Sequence, residues 1–465
     1  MRRDETGASS SLWTLPTDLT TTEPRPEPPP GRVALSRQQE FLHMVDDGSG
    51  SGPFGPHYTI VGGWRIRGPL DVAVLRSALA DVVARHESLR TMIVRGPGPH
   101  QLVRPPQEPH LHVEELPTTG TDREHDAEIL LNEVESRPVP ATECPSLRAH
   151  LGRFDREDAV LVLAAHHTGV DGWSIQVVLR DLAHCYRARL AGRPPELPKV
   201  RQYRDYVRWQ RQAADGPAVA AARRYWADHL RDAVLTPVRI DWPRGRHQAD
   251  GTAWYRFRFD QDLGRRVRAY AAERRCTPFM VLAAAHVRQL ADATGLDEVV
   301  MPTFTPGRRP AWTVDMVGSF FNLLPLRIAT PPGGRFADLV DRVRATCLAA
   351  IRHEIPFVDL LGVAPDLMRA AADQEHASCV FQLVQSPFMA VDERIGDLTY
   401  RAMRRRLRSQ EFGSQIPDGA LWAVEFDATG GIVGSIGYRR SQFRADTVAA
   451  LVDGHHDVLD RVLPA

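Results

Sequence analysis

Residues 164–174 read AAHHTGVDGWS. His166 and His167 end an apolar run, Asp171 stands four residues after His167, and Gly172 follows it. Imidazole takes up a proton near neutral pH, so a histidine at a strand end is a candidate general base. A helix beginning near Trp173 has first-turn N–H groups without intrahelical acceptors and a partial positive charge, which suits a developing oxyanion. Gly172 lets a substrate approach that helix end closely. Asp171 either caps the helix or pairs with a cation that holds the loop. Two histidines alone, or Asp-Gly alone, would fit a buried strand ending in a turn. The whole spacing, between a buried strand and an amphipathic helix, points to a site.

The elements that must position these residues alternate between strands and helices, which predicts an α/β chain. Residues 57–68 alternate as a strand, and 70–86 follow as a helix capped by Asp71, with Leu75, Ala78, Leu79, Val82 and Val83 as its apolar stripe. A strand is expected at 89–95. The run 158–167 is continuously apolar, as in a strand buried on both faces. A helix over 174–192 carries Ile175, Val178, Leu179, Leu182 and Tyr186 on one face, and Gly192 and Pro194 stop it. Later strands are expected at 252–260, 298–304, 378–385, 420–428 and 430–440. Later helices are expected at 263–275, 277–295, 336–353 and 446–463. The Pro- and Thr-rich leader 1–31 reads as disordered, 32–195 as a first lobe, 196–230 as a linker and 231–465 as a second lobe.

The chain has 465 residues, more than one core usually organises. Lys plus Arg and Asp plus Glu both number 58, so charge supplies no reason to expect nucleic acid or an anionic membrane as partner. Five scattered cysteines without a C-x-x-C pair suggest neither a disulfide framework nor a zinc site, and a cytoplasmic setting fits. No run of eighteen apolar residues appears, and the leader lacks the apolar stretch of a secretory signal.

HHTGVDG resembles the H-H-x-x-x-D-G signature of the chloramphenicol-acetyltransferase-like superfamily, which includes the condensation domains of nonribosomal peptide synthetases. Other stretches follow that family's motifs in order: LSRQQEFL (35–42), RHESLRT (85–91), YRDYVRWQ (203–210), VGSFFNLLPLR (317–327) preceded by PGRRP, and HEIPF (353–357). EHASCVFQL (375–383) departs from the family's arginine-rich approach to that strand.

The resemblance implies an α/β fold of two lobes in a V-shaped arrangement, with an active-site channel between them. It implies His167 as catalytic base or positioning group and His166 as structural. Asp171 would point away from substrate and pair with an arginine, taken as Arg90. Gly172 and Trp173 would form the helix end at the reacting carbonyl. Arg85 and Arg90 read as ion-pair partners, and Trp209 and Asn322 as supports of the channel or lobe interface. No metal and no covalently bound cofactor is implied. The sequence contains no G-G-x-S carrier motif. The resemblance therefore implies a free-standing condensation enzyme, with the phosphopantetheine arm supplied by a partner acyl or peptidyl carrier protein. The acceptor would be a small amine or alcohol. The alternatives are an acyl-CoA-dependent O- or N-acyltransferase of the same fold and a non-catalytic carrier-recruitment domain.

Overall fold

The computed structural model describes residues 32–464, apart from 47, 49, 51, 118–121, 250, 385–387, 389, 404, 405 and 428. The expected leader 1–31 lies outside the described residues. The run at 158–167 forms the strand Asp158–His166, buried along its whole length. It lies inside a six-stranded sheet ordered Glu393–Ile395, Leu398–Met403, Thr59–Arg67, Asp158–His166, Leu147–Asp155, His110–Glu115. Neighbours are antiparallel except for the last two strands, which run parallel. Leu161, Leu163 and Ala165 pack into one core with helices Val72–Arg85 and Gly172–Leu190. Val160, Val162 and Ala164 pack on the opposite face with helix Arg123–Ser136. Helices cover both faces, so the strand has no polar side to alternate with.

Both helices over the first face are built as their sequences suggest. Asp71 accepts the N–H groups of Ala73 and Val74, and the stripe from Leu75 to Val83 is buried. Asp171 caps Gly172–Leu190, whose C-cap is Ala191, and Gly192 follows with φ 68°.

The second lobe is a six-stranded sheet ordered Gln410–Gly413, Thr252–Phe259, Ile432–Arg439, Ala420–Phe426, His376–Leu383, Pro237–Arg239. One face sends Phe257, Ile436, Trp422 and Phe381 into a core shared with helices Pro278–Thr294 and Ala445–Val462. The other face is different in kind. Gln382, Ala423, Ser435 and Arg256 form a single cross-strand row there, and all four line a cavity. A hairpin pairs Glu298–Thr305 with Asn322–Ala329, and its long connection reaches the first lobe.

Two of the expected lobe boundaries need correction. Residues 196–230 hold the helices Tyr203–Ala213 and Pro217–His229, and Trp226 is fully buried with its indole N–H on the His353 carbonyl at 2.7 Å. The second is at 393–403: these strands belong to the first lobe's sheet, where Leu398–Met403 pairs with Thr59–Arg67. Among the described residues no helix is long and apolar enough to cross a membrane.

Trp226→Ala tests the packing of the supposed linker. It should cost about 3–5 kcal/mol, read as a lower urea midpoint. An unchanged midpoint would show that the helix is only loosely attached.

Candidate active site

His167 follows the last residue of its strand, and its backbone N–H donates to the Tyr58 carbonyl at 2.8 Å. Its Nδ1 lies 2.7 Å from the Val170 carbonyl. A carbonyl only accepts, so Nδ1 carries the proton and Nε2 keeps its lone pair. The ring lines a cavity of about 400 Å³ between the lobes. Burial pushes its pKa below 6.5, partly offset by the Val170 carbonyl and Asp171. Tyr58 stacks on the imidazole at 4.8 Å and 19°, and the Phe321 ring lies 4.9 Å away.

His166 is turned inward. Its Nε2–H donates to the Gly55 carbonyl at 2.9 Å, while Nδ1 accepts from the Thr168 hydroxyl at 2.8 Å and the Thr168 N–H at 3.2 Å. Burial pushes it down to about 4. It is a neutral, fully bonded ring under the site.

Asp171 does not pair with Arg90. Its Oδ1 accepts the Ser174 N–H at 2.7 Å and Arg308 Nη2 at 3.0 Å, and its Oδ2 accepts the Phe320 N–H at 2.9 Å. Arg308 is itself buried over the Phe320 ring at 4.0 Å and also reaches the Ser174 hydroxyl and the Thr313 and Met316 carbonyls. Arg90 instead bonds the Arg104 carbonyl and sits 3.8 Å from Glu87. Arg85 pairs with buried Asp181 at 2.8 Å, beside His86. Neither Arg85 nor Arg90 lines the cavity. The motif resemblance pointed to Arg90 of RHESLRT, but the partner is Arg308 of the PGRRP segment.

Gly172 begins the helix, and a Cβ built there meets nothing within 4 Å. The helix end is therefore open to the cavity that Gly172 and Trp173 line. The N–H groups of Gly172 and Trp173 belong to the first turn and have no intrahelical acceptor. The Trp173 indole is tied to the Val314 carbonyl at 2.9 Å.

A second buried ion cluster lies farther along the cavity wall. Glu135 meets Arg256 at 3.0 Å and Arg406 at 2.8 Å, and also accepts from Gln410 and Ser414. The two guanidinium groups outweigh burial and hold its carboxyl at about 2.

Asn322 and Trp209 line a neighbouring cavity of about 540 Å³. Asn322 donates to Glu354 at 3.0 Å and to the Ile355 carbonyl at 2.9 Å, and accepts the Phe357 N–H, so it binds the HEIPF segment. Trp209 is 38 % exposed and packs on Tyr206 and Trp312. Consecutive residues divide the two spaces: Pro306 and Phe321 line the first, Gly307 and Asn322 the second. Gly307 has φ 63°, and a Cβ there would lie 1.8 Å from the Phe320 carbonyl oxygen. Only glycine fits that turn. Sequence reasoning missed Arg308, Phe321 and Tyr58; the one available signal was an arginine pair between prolines ahead of a motif carrying two phenylalanines.

Two mixed α/β lobes thus enclose a cavity that a strand-end histidine and an open helix terminus both line. The condensation domain family model matches residues 34–464, and the chain belongs to that family. It is 30% identical to the isonitrile lipopeptide synthase of Mycobacterium tuberculosis, over 94% of this chain and 17% of that protein. It is 31% identical to the dimodular nonribosomal peptide synthase of Bacillus subtilis, over 91% of this chain and 18% of that one. The chain thus spans less than a fifth of either relative. The crystal structure of SgcC5 from Streptomyces globisporus superposes with TM-score 0.89 at 43% identity, covering 92% of this chain and 98% of that one. The first condensation domain of the calcium-dependent antibiotic synthetase has the same fold, with TM-score 0.74 at 20% identity over 92% and 96% of the chains.

Asp171→Ala and Arg308→Ala should each cost about 3–5 kcal/mol, because each strands a buried charge. The double variant should cost less than the sum. Strict additivity in denaturation would argue against the pair. His150 and His166 are held at about 4 and His286 at about 3 by burial, against 6.5 for an exposed imidazole. The unfolded chain therefore binds protons that the folded state refuses. Their contribution is complete above about pH 6.5 and is lost as pH falls toward 4. The urea midpoint should drop between pH 7.5 and 5, and His166→Gln should flatten that slope.

Proposed function

We propose that this chain is a condensation enzyme that transfers an acyl group from a carrier-bound thioester to a small acceptor. The observation that carries this reading is His167: Nδ1–H is fixed on Val170, so Nε2 is the basic atom in a cavity whose other wall is the open helix end at Gly172. The thioester is already activated, so holding two reactants in line supplies much of the rate. Nε2 takes the proton as the acceptor attacks. The N–H groups at Gly172 and Trp173 face the oxyanion. Collapse of the tetrahedral adduct breaks the C–S bond, and the imidazolium returns its proton to the departing thiolate.

Two cavities that share the Pro306–Gly307 and Phe321–Asn322 wall support access from two sides, one for donor and one for acceptor. SgcC5 was solved in complex with (R)-(-)-1-(2-naphthyl)-1,2-ethanediol and sucrose. On that similarity we assign an alcohol as the acceptor and an ester as the product. The intact histidine motif disfavours the non-catalytic reading.

The decisive experiment offers matched acyl-carrier and acyl-CoA donors with a panel of diols and amines, and follows product by mass spectrometry. Ester from the carrier donor alone is expected. Product from acyl-CoA alone would move the chain to the CoA-dependent branch. His167→Ala should lower turnover by at least about a hundredfold with the urea midpoint retained; full activity would remove His167 as base.

A further inference from the structure

Two aromatic rings enclose His167, and they come from different lobes. Tyr58 immediately precedes the strand Thr59–Arg67, and its ring lies nearly parallel to the imidazole. Its carbonyl also holds the His167 N–H, so one residue fixes both backbone and ring. Phe321 comes from the connection of the second-lobe hairpin. The adjacent Phe320 N–H is bound by Asp171, and the Phe304 ring meets Phe321 edge-on at 5.5 Å. Both rings line the cavity.

A positive charge within about 6 Å of an aromatic face is attracted by the ring quadrupole, and more so when desolvated. Both ring centres lie inside that distance of the imidazole. We propose that Tyr58 and Phe321 are positioning residues: an aromatic clamp that fixes the imidazole plane and stabilises the imidazolium formed when the acceptor gives up its proton. This deepens the assignment of His167 as base and rests on it.

The Val170 carbonyl and Asp171 also favour the charged imidazole, and the clamp acts beside them. The Val170 carbonyl holds Nδ1, and Asp171 is bound to Arg308. His166 is neutral beneath the strand end. Burial pushes the Tyr58 phenol up, so it stays uncharged. Glu354 bonds Thr305 and Asn322. Burial disfavours the charged imidazole, and the two rings act against that penalty without adding a fixed charge.

The test uses Tyr58→Leu, Tyr58→Phe and Phe321→Leu in the full chain. His167 is titrated by NMR with labelled histidine and assigned with His167→Gln. The pH profile of kcat/KM is measured beside it. Leucine keeps the site apolar but removes the quadrupole. Each leucine variant should lower the His167 pKa by about half a pH unit, move the acid limb of kcat/KM by the same amount and reduce kcat about threefold. Tyr58→Phe keeps the ring and should titrate as the parent does. Leucine variants that titrate like the parent, or a phenylalanine variant as impaired as leucine, would overturn the clamp. A shifted NMR titration with an unmoved acid limb would uphold the clamp and overturn His167 as base. The two leucine variants remove different rings, so either decides the matter if the other fails to fold.

Discussion

The carboxylate of Asp171 is the point on which the two lobes and the site are aligned. It caps the helix that presents Gly172, takes a guanidinium from the other lobe, and binds the backbone of the segment that carries Phe321. All three donors are buried or nearly so, which makes their geometry strict: a buried charge tolerates no loose partner. Moving the second lobe away would break the Arg308 and Phe320 contacts together and leave a charged group dry. The same bonds that close the lobe interface therefore hold the helix end and the Phe321 ring against His167.

The cavity is framed by a second contact of the same kind. Glu135 from the helix Arg123–Ser136 meets Arg256 and Arg406 from the later part of the chain. Ser414 joins this cluster to Thr59 through a 3.0 Å hydroxyl contact, and Thr59 adjoins Tyr58. The space between the lobes is thus lined by buried ion clusters at Asp171 and Glu135. Ala423 and Ser435 occupy the row where bulkier side chains would fill it.

Much of the first lobe was legible because its signals are local. The strand 158–166 is apolar because helices cover both faces, and Asp71 and Asp171 stand where caps belong. The helix Arg123–Ser136 was not read, although Asp122 caps it and Ala127, Leu130, Leu131 and Val134 are buried. Its charged residues outnumber that stripe and dilute the pattern. The helices within 203–229 were taken for a linker because arginines obscure a narrow buried face. Arg308 could not be found as the partner of Asp171, since nothing local records which loop of another lobe will arrive. The motif resemblance located the site, but side-chain pairing across lobes is a property of the assembled fold.

The strands Glu393–Ile395 and Leu398–Met403 carry one more consequence. They complete the first sheet on the outer side of Thr59–Arg67, yet they come from the far end of the chain. On the ribosome, the first lobe is made long before these strands exist, so its sheet waits with one hydrogen-bonding edge exposed. Such an edge invites pairing with other chains, and contacts this distant in sequence form slowly. The first sheet is therefore complete only after the second lobe's strands Pro237–Arg239, Thr252–Phe259 and His376–Leu383 have been synthesised, and residues 32–195 cut out alone would lack two of its six strands.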